Sequence, residues 1–302
     1  MKLLIAGYGD LGRTLALTCQ TSPQWQQASI LAIRRQRAAE RALDNVSWIQ
    51  ADLANLANAD NLTAIYEQLD GVTHAVYCAA PSERTEAAYR ATYLTGLQNL
   101  VTVLKSCNAN KATPSASPDP LPKLLFVSST AVYDSQAQGS FDESSPTEPQ
   151  RFNGQILLEA ENWLLATWPS ALVLRLSGIY GPSKQGLLTS IANGTATTPG
   201  SPDYIANRIH IEDAARAILH LFDQNAHGVF IGTDSQPMPL SELYSSLAQM
   251  LGAPDPKTGA PSPMMGKKRL SNKKLLSTGF HLKWPNSLQG YQALIAEGDQ
   301  HG

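Results

Sequence analysis

Six residues near the start of the chain, Gly7-Tyr8-Gly9-Asp10-Leu11-Gly12, have the types and spacing to cradle a phosphate-bearing ligand. They follow an apolar run, Lys2–Ala6, and open an amphipathic segment, Leu11–Thr21. In that context each glycine has a physical task. The first permits a tight turn, the second lets backbone approach a pyrophosphate, and the third lets the helix pack closely on the strand. The helix N-terminus adds unpaired N–H groups and the positive end of its dipole. The chemistry this predicts is dinucleotide binding.

The end of the second strand should select the dinucleotide. An unphosphorylated ribose needs Asp or Glu about 20 residues past the glycines. That window reads Ile33-Arg34-Arg35-Gln36-Arg37 and holds no acid. A guanidinium offers a planar fork of charge-assisted hydrogen bonds that suits a 2′-phosphate. Arg34 and Arg35 therefore point to NADP, with NAD the less favoured cofactor.

Residues with these tasks need rigid elements behind them. Short runs at Lys2–Ala6, Ile30–Arg34, Val46–Gln50, Val72–Cys78, Leu124–Ser128 and Leu172–Leu176 read as strands, several of them continuous apolar runs as expected for burial on both faces. Helical patterns lie between them at Leu11–Thr21, Asn61–Leu69, Arg84–Ser106 and Gly154–Ala166. The alternation predicts an α/β fold, a Rossmann-type doubly wound parallel sheet with a smaller C-terminal substrate-binding region. Residues 1–176 would form the dinucleotide-binding part, with 204–232 returning to it. Residues 177–203 and 233–302 would form the substrate side. The segment Asn108–Pro122 holds four prolines and reads as a surface insertion. The cluster Lys267-Lys268-Arg269 reads as a solvated face.

Composition sets outer limits. Hydrophobic residues make up 43% of the 302, enough for a sizeable core. Twenty-three Lys and Arg against 25 Asp and Glu leave a net charge of −2, so bulk electrostatics argue for neither nucleic acid nor a membrane surface as partner. Three cysteines, an odd number without a CxxC pair, argue against a disulfide framework, and six histidines without HExxH spacing argue against a metal site. The opening apolar run is too short for a secretory signal or a membrane span. The expectation is a protein of a reducing compartment, most simply the cytoplasm.

Further along, several segments together resemble the extended short-chain dehydrogenase/reductases, in particular the atypical NAD(P)-dependent epimerase/dehydratase-like branch. Ala51-Asp52-Leu53 is similar to the family's "DL" element, which implies that Asp52 meets the adenine amino group and that Leu53 lines the same site. Tyr77-Cys78-Ala79-Ala80 resembles the small-residue loop beside the cofactor, which brings in Cys78, Ala79 and Ala80. Phe126 to Tyr133 (FVSSTAVY) resembles the "vSSt.vY" element, which implies Ser128 at the cofactor and Ser129 at the Ser/Thr position of the active site. Leu174 to Pro182 resembles the crossover into the substrate region, Arg208 to Ala215 a following strand and helix start, and Lys268 to Asn272 with Leu282 to Pro285 the ending of the branch.

The resemblance also exposes a gap. The family carries Tyr-x-x-x-Lys on the helix after the fifth strand. Register on Gly154 and Glu161 puts Asn153 and Leu157 at those positions, and a slide by two puts Arg151 and Gln155 there. Neither register supplies a phenol or an amine. Asn153 can donate a hydrogen bond but cannot exchange a proton near neutral pH. Tyr93 stands where the fourth helix usually carries an asparagine. Tyr133 ends the Ser129 loop and is the other candidate for catalysis, without an identifiable lysine partner. On the substrate side, Asn153, Tyr180 and Arg208 are expected to face the pocket, with a packed aromatic the alternative for Tyr180 and an ion pair to Glu212 or Asp213 the alternative for Arg208. The resemblance implies an NAD(P)-binding oxidoreductase or epimerase-like protein acting on a sugar-nucleotide or carbonyl metabolite. The other reading is a non-catalytic NADP-binding sensor or interaction protein. A small-molecule substrate is the expected partner, and a homodimer is an assembly open to such a chain.

Overall fold

The computed structural model describes residues 1–35, 43, 45–58, 62–109, 121–262 and 265–299. Gln36, Arg37 and positions 110–120 of the proline-rich segment lie outside the described residues.

A seven-stranded parallel sheet organises the chain. Its strands are β1 (Lys2–Ala6), β2 (Ser29–Arg34), β3 (Val46–Gln50), β4 (His74–Tyr77), β5 (Lys123–Ser129), β6 (Leu172–Leu176) and β7 (Gly228–Gly232), in the spatial order β7-β6-β5-β4-β1-β2-β3. Leu3, Leu4, Ile5 and Ala6 are wholly buried, as are Leu172 to Leu176. Helices on both faces therefore account for continuous apolar runs in place of alternating ones. β1 pairs with β2 on one side and β4 on the other, Ile5 standing opposite both Ala32 and Val76. Strand order reverses at this point, and the carboxyl ends of strands at such a switch are where ligands bind in α/β sheets.

The helices are α1 (Asp10–Thr21), α2 (Leu62–Leu69), α3 (Glu86–Tyr89), α4 (Gly96–Ala109), α5 (Phe152–Thr167), α6 (Gly186–Ala192), α7 (Ile211–Asp223), α8 (Leu240–Met250), α9 (Lys273–Ser277) and α10 (Ser287–Asp299). The single helix expected over Arg84–Ser106 is divided. A π turn, Arg90–Thr95, joins α3 to α4. The Gly96 N–H donates to the Ala91 carbonyl, five residues back, so the Thr92 carbonyl loses its helical donor. The Tyr77 hydroxyl from the end of β4 donates to it instead. Gly96 makes this approach sterically open, because a Cβ there would lie 2.4 Å from the Tyr77 oxygen.

The chain divides into two compact units. The first comprises Met1–Ser128, Arg151–Leu174 and Ile218–Gly228, and the second Ser129–Gln150, Arg175–Ala217 and Val229–Gly302. In the first, Trp25, His74 and Phe222 stack edge to face, and the Trp25 indole N–H donates to Asp223. In the second, α6, α8 and α10 bury Leu188, Ile191, Leu243, Leu247 and Tyr291 around Tyr180. Strand Lys267–Leu270 pairs in parallel with Gln138–Phe141. No helix among the described residues is long and apolar enough to cross a membrane.

Candidate functional site

The loop from β1 into α1 has the shape that its glycines foretell. Gly7 has φ +101°, and a Cβ on it would fall 2.3 Å from the Ala79 backbone. Only glycine allows that turn against the end of β4. Gly12 lies under the Gly7 carbonyl and Ile5, each 3.0 Å from where its Cβ would be, so α1 packs closely on β1. Gly9 differs from both: nothing lies within 4 Å of its Cβ position. It is the N-cap of α1 and supplies no side-chain cap to the first-turn N–H groups. An open face over bare amides at a helix start fits a pyrophosphate.

The surroundings fix this loop. The Gly7 and Tyr8 N–H groups donate to the Ile33 carbonyl at 3.2 and 3.4 Å, and the Cys78 thiol donates to the Gly7 carbonyl at 3.2 Å. Burial pushes that thiol up to about 12, so Cys78 is a structural donor and not a nucleophile. Tyr8 is buried edge-on against Trp48 at 4.7 Å. Asp10 is exposed in the first turn of α1, Leu11 packs beneath it, and Ala79 and Ala80 follow Cys78 past the strand end.

On the β2 and β3 side, Arg34 is half-buried and Arg35 exposed. Among the described residues neither guanidinium has a hydrogen-bond or ion-pair partner. Asp52 is exposed after β3, its oxygens accepting from the Ala54 N–H at 3.1 Å and the Asn55 amide at 3.3 Å. Two such bonds leave a carboxylate further acceptor capacity. Leu53 is buried, with its carbonyl held by Asn99. The Ser128 hydroxyl donates to the buried Glu161 of α5 and so ties β5 to that helix.

α5 itself reads FNGQILLEAENWLLAT, without tyrosine or lysine. Asn153 lies in its first turn, and its Oδ1 is buried without a hydrogen-bond partner among the described residues. Tyr89, the last residue of α3, packs on the start of α5, and Tyr93 stands beside it in the π turn. The Tyr89 ring lies 5.4 Å from Phe152 and 5.4 Å from Tyr93, and Tyr93 lies 6.3 Å from Phe126. Sequence reasoning noted Tyr93 only as a departure. The signal it held was the i, i+4 spacing of two tyrosines on one helix face.

In the second unit, Ser129 is half-buried, and its Oγ accepts from the Ala131 N–H at 3.2 Å. Tyr133 is 1% exposed. Its hydroxyl donates to the Asp142 carbonyl at 2.8 Å and accepts from Arg175 at 2.9 Å, with that guanidinium also over its ring. Its one proton is thus engaged in holding the fold. Tyr180 is a buried, packed aromatic: it stacks on Tyr291 at 4.3 Å, and its hydroxyl end lies against Gly290. Arg208 does not form the ion pair with Glu212 or Asp213. Lys283 takes Glu212, while Arg216 and the Lys283 and Trp284 N–H groups take Asp213. The Arg208 guanidinium lies instead along Gly178, near the buried Asp234. The solvated face expected at Lys267-Lys268-Arg269 is also corrected. As a strand it alternates, so Lys268 turns inward and donates to the Tyr133 and Asp134 carbonyls.

The fold and the glycine cradle define a dinucleotide-binding α/β protein. The sequence matches the NAD dependent epimerase/dehydratase family over residues 3–231, and the chain belongs to that family. Protein YeeZ of Escherichia coli K12 is 25% identical over 295 residues, which is 95% of this chain and 97% of YeeZ. A structure from Methylobacillus flagellatus, named as an NAD-dependent epimerase/dehydratase, is 33% identical with a TM-score of 0.75, covering 99% of this chain and 98% of its own. UDP-glucose 4-epimerase from Thermotoga maritima, 15% identical, shares the fold with a TM-score of 0.79 over 100% of this chain and 99% of its own. Family membership and the cradle together make a nicotinamide dinucleotide the cofactor of this site.

Proposed function

We propose that the protein is an NADP(H)-dependent oxidoreductase or epimerase-like enzyme acting on a carbonyl or sugar-nucleotide metabolite. The observation that carries the choice of NADP is the acid-free end of β2, where Arg34 and Arg35 have no partner among the described residues. When bound, the nicotinamide ring supplies or accepts a hydride. The chain's own contribution begins with holding it. Gly7, Tyr8, Gly9, Asp10, Leu11 and Gly12 give the pyrophosphate its backbone cradle, Arg34 and Arg35 take the 2′-phosphate, and Asp52 with Leu53 receives the adenine. Cys78, Ala79 and Ala80 border the ribose, and Ser128 acts through its tie to Glu161. Ser129 keeps a hydroxyl proton that no described residue accepts, which suits a group that orients a carbonyl. Tyr133, with its proton engaged by Asp142, is assigned to the fold.

Fluorescence titration of wild type and Arg34→Ala tests the cofactor assignment. Hydrogen bonds to charged groups contribute about 1.5–3 kcal/mol each, and about 1.4 kcal/mol is tenfold. Arg34→Ala should therefore weaken NADPH about ten- to hundredfold while changing NADH little. Equal loss for both cofactors would assign Arg34 to the fold and not to the 2′-phosphate.

A further inference from the structure

We infer that Tyr93 is the proton donor of this chain, presented by the π turn before α4 and not by α5. The inference rests on the proposed NADP(H)-dependent carbonyl chemistry. It begins with the vacancy on α5, which has no phenol or amine to offer. The first turn of that helix instead presents Asn153, with a buried amide oxygen that lacks a donor among the described residues. A buried acceptor left unpaired costs about 1–3 kcal/mol, so a donor at this place, on a ligand or from water, is to be expected.

The phenol comes from the neighbouring helix. Among the described residues the Tyr93 hydroxyl has no hydrogen-bond partner. It is half-buried beside Phe126 of β5 and Tyr89, which in turn packs on Phe152 beside Asn153. The π turn Arg90–Thr95 carries it. The Tyr77 hydroxyl on the Thr92 carbonyl anchors the turn to the carboxyl end of β4. β4 borders β1 at the point of strand reversal, the end of the sheet at which a ligand lies. π turns of a single helical turn are frequently found at functional sites. This one is held by a specific side chain and a specific glycine.

The environment also sets the protonation state. Burial, with Tyr89 beside it, pushes the Tyr93 phenol up to about 12. It is thus protonated at neutral pH, as a proton donor must be. In the carbonyl-reducing direction the protonated phenol acts as the acid. As hydride reaches the carbonyl carbon, the carbonyl π pair moves onto oxygen and takes the proton from Tyr93 Oη. The electrons of the phenolic O–H bond remain on the phenolate, and a solvent proton restores it. The carbonyl becomes an alcohol, with the hydride that the bound nicotinamide would supply.

The test uses the full chain labelled with ¹³C at tyrosine Cζ. The resonance lost in Tyr93→Phe is that of Tyr93. It should move on saturation with NADPH, and its titration midpoint should fall from about 12 when NADP⁺ is bound, because the oxidised ring is positively charged. Tyr89→Phe should keep both responses. A Tyr93 resonance unmoved by a cofactor that fluorescence shows to be bound overturns the inference and leaves the cofactor assignment standing. Failure of either cofactor to bind overturns the parent reading and this inference with it. For any compound in a panel of nucleotide sugars and small carbonyls that wild type reduces, Tyr93→Phe should turn over about 10²–10⁴-fold more slowly with KM little changed. Equal rates would remove Tyr93 from the reaction.

Discussion

Gly7 and Gly9 are two residues apart and do opposite things. Gly7 at φ +101° turns the chain into contact with Ala79, so a side chain there meets backbone. Gly9 at φ −95° accepts any residue, and its Cβ position opens on nothing within 4 Å. Gly7→Ala should therefore destabilise the first unit, by about 1–3 kcal/mol for a strained non-glycine conformation alone. Gly9→Val should melt like wild type and lose dinucleotide binding, because the side chain stands where backbone meets the pyrophosphate. Circular dichroism melts and NADPH fluorescence separate the two effects. A Gly9→Val variant that binds NADPH normally would disprove the cradle assignment.

Among elements, the break between α3 and α4 has a defined cause. Tyr77→Phe removes the hydroxyl that satisfies the Thr92 carbonyl. Losing the donor to that part-buried acceptor should cost about 1 kcal/mol in urea unfolding, because the turn must relax toward regular α-helix to pair it again. Unchanged stability would mean that the π turn does not need Tyr77. This contact marks the limit of what the sequence shows. Lys2–Ala6 and Leu172–Leu176 are strands to the residue because burial on both faces writes a nearly continuous apolar run, and Val46–Gln50, an edge strand with Ser47 and Gln50 exposed, matches as well. The glycine cradle is legible for the same reason: its geometry is local. The π turn is not, since its freed carbonyl is paired by a hydroxyl 15 residues away. Nor is the inward turn of Lys268, whose acceptors lie 134 and 135 residues away. Tyr180 is placed by Gly290 and Tyr291 from the last helix, which no nearby residue announces.

For the whole molecule, buried charge sets how stability varies with pH. Asp234 in the second unit is 1% exposed. Burial pushes its carboxyl up to about 6, with Ser287 and Arg208 pulling it back. The folded state thus holds this proton more tightly than the unfolded chain, whose aspartate has pKa ~3.9. Its stabilising contribution is complete below about pH 4 and is lost as pH rises through 6, by about 3 kcal/mol in all. Asp234→Asn removes that loss, so its Tm should rise relative to wild type between pH 4 and 7. Parallel Tm profiles for the two proteins would contradict the burial argument. The molecule as a whole is read as a family member whose cradle takes a dinucleotide and whose β2 end takes the 2′-phosphate. Calorimetric titration of the full chain with NADPH and with NADH tests that claim most directly. NADPH should bind about ten- to hundredfold tighter, as one good arginine contact implies. Equal affinities, or tighter NADH, would contradict it.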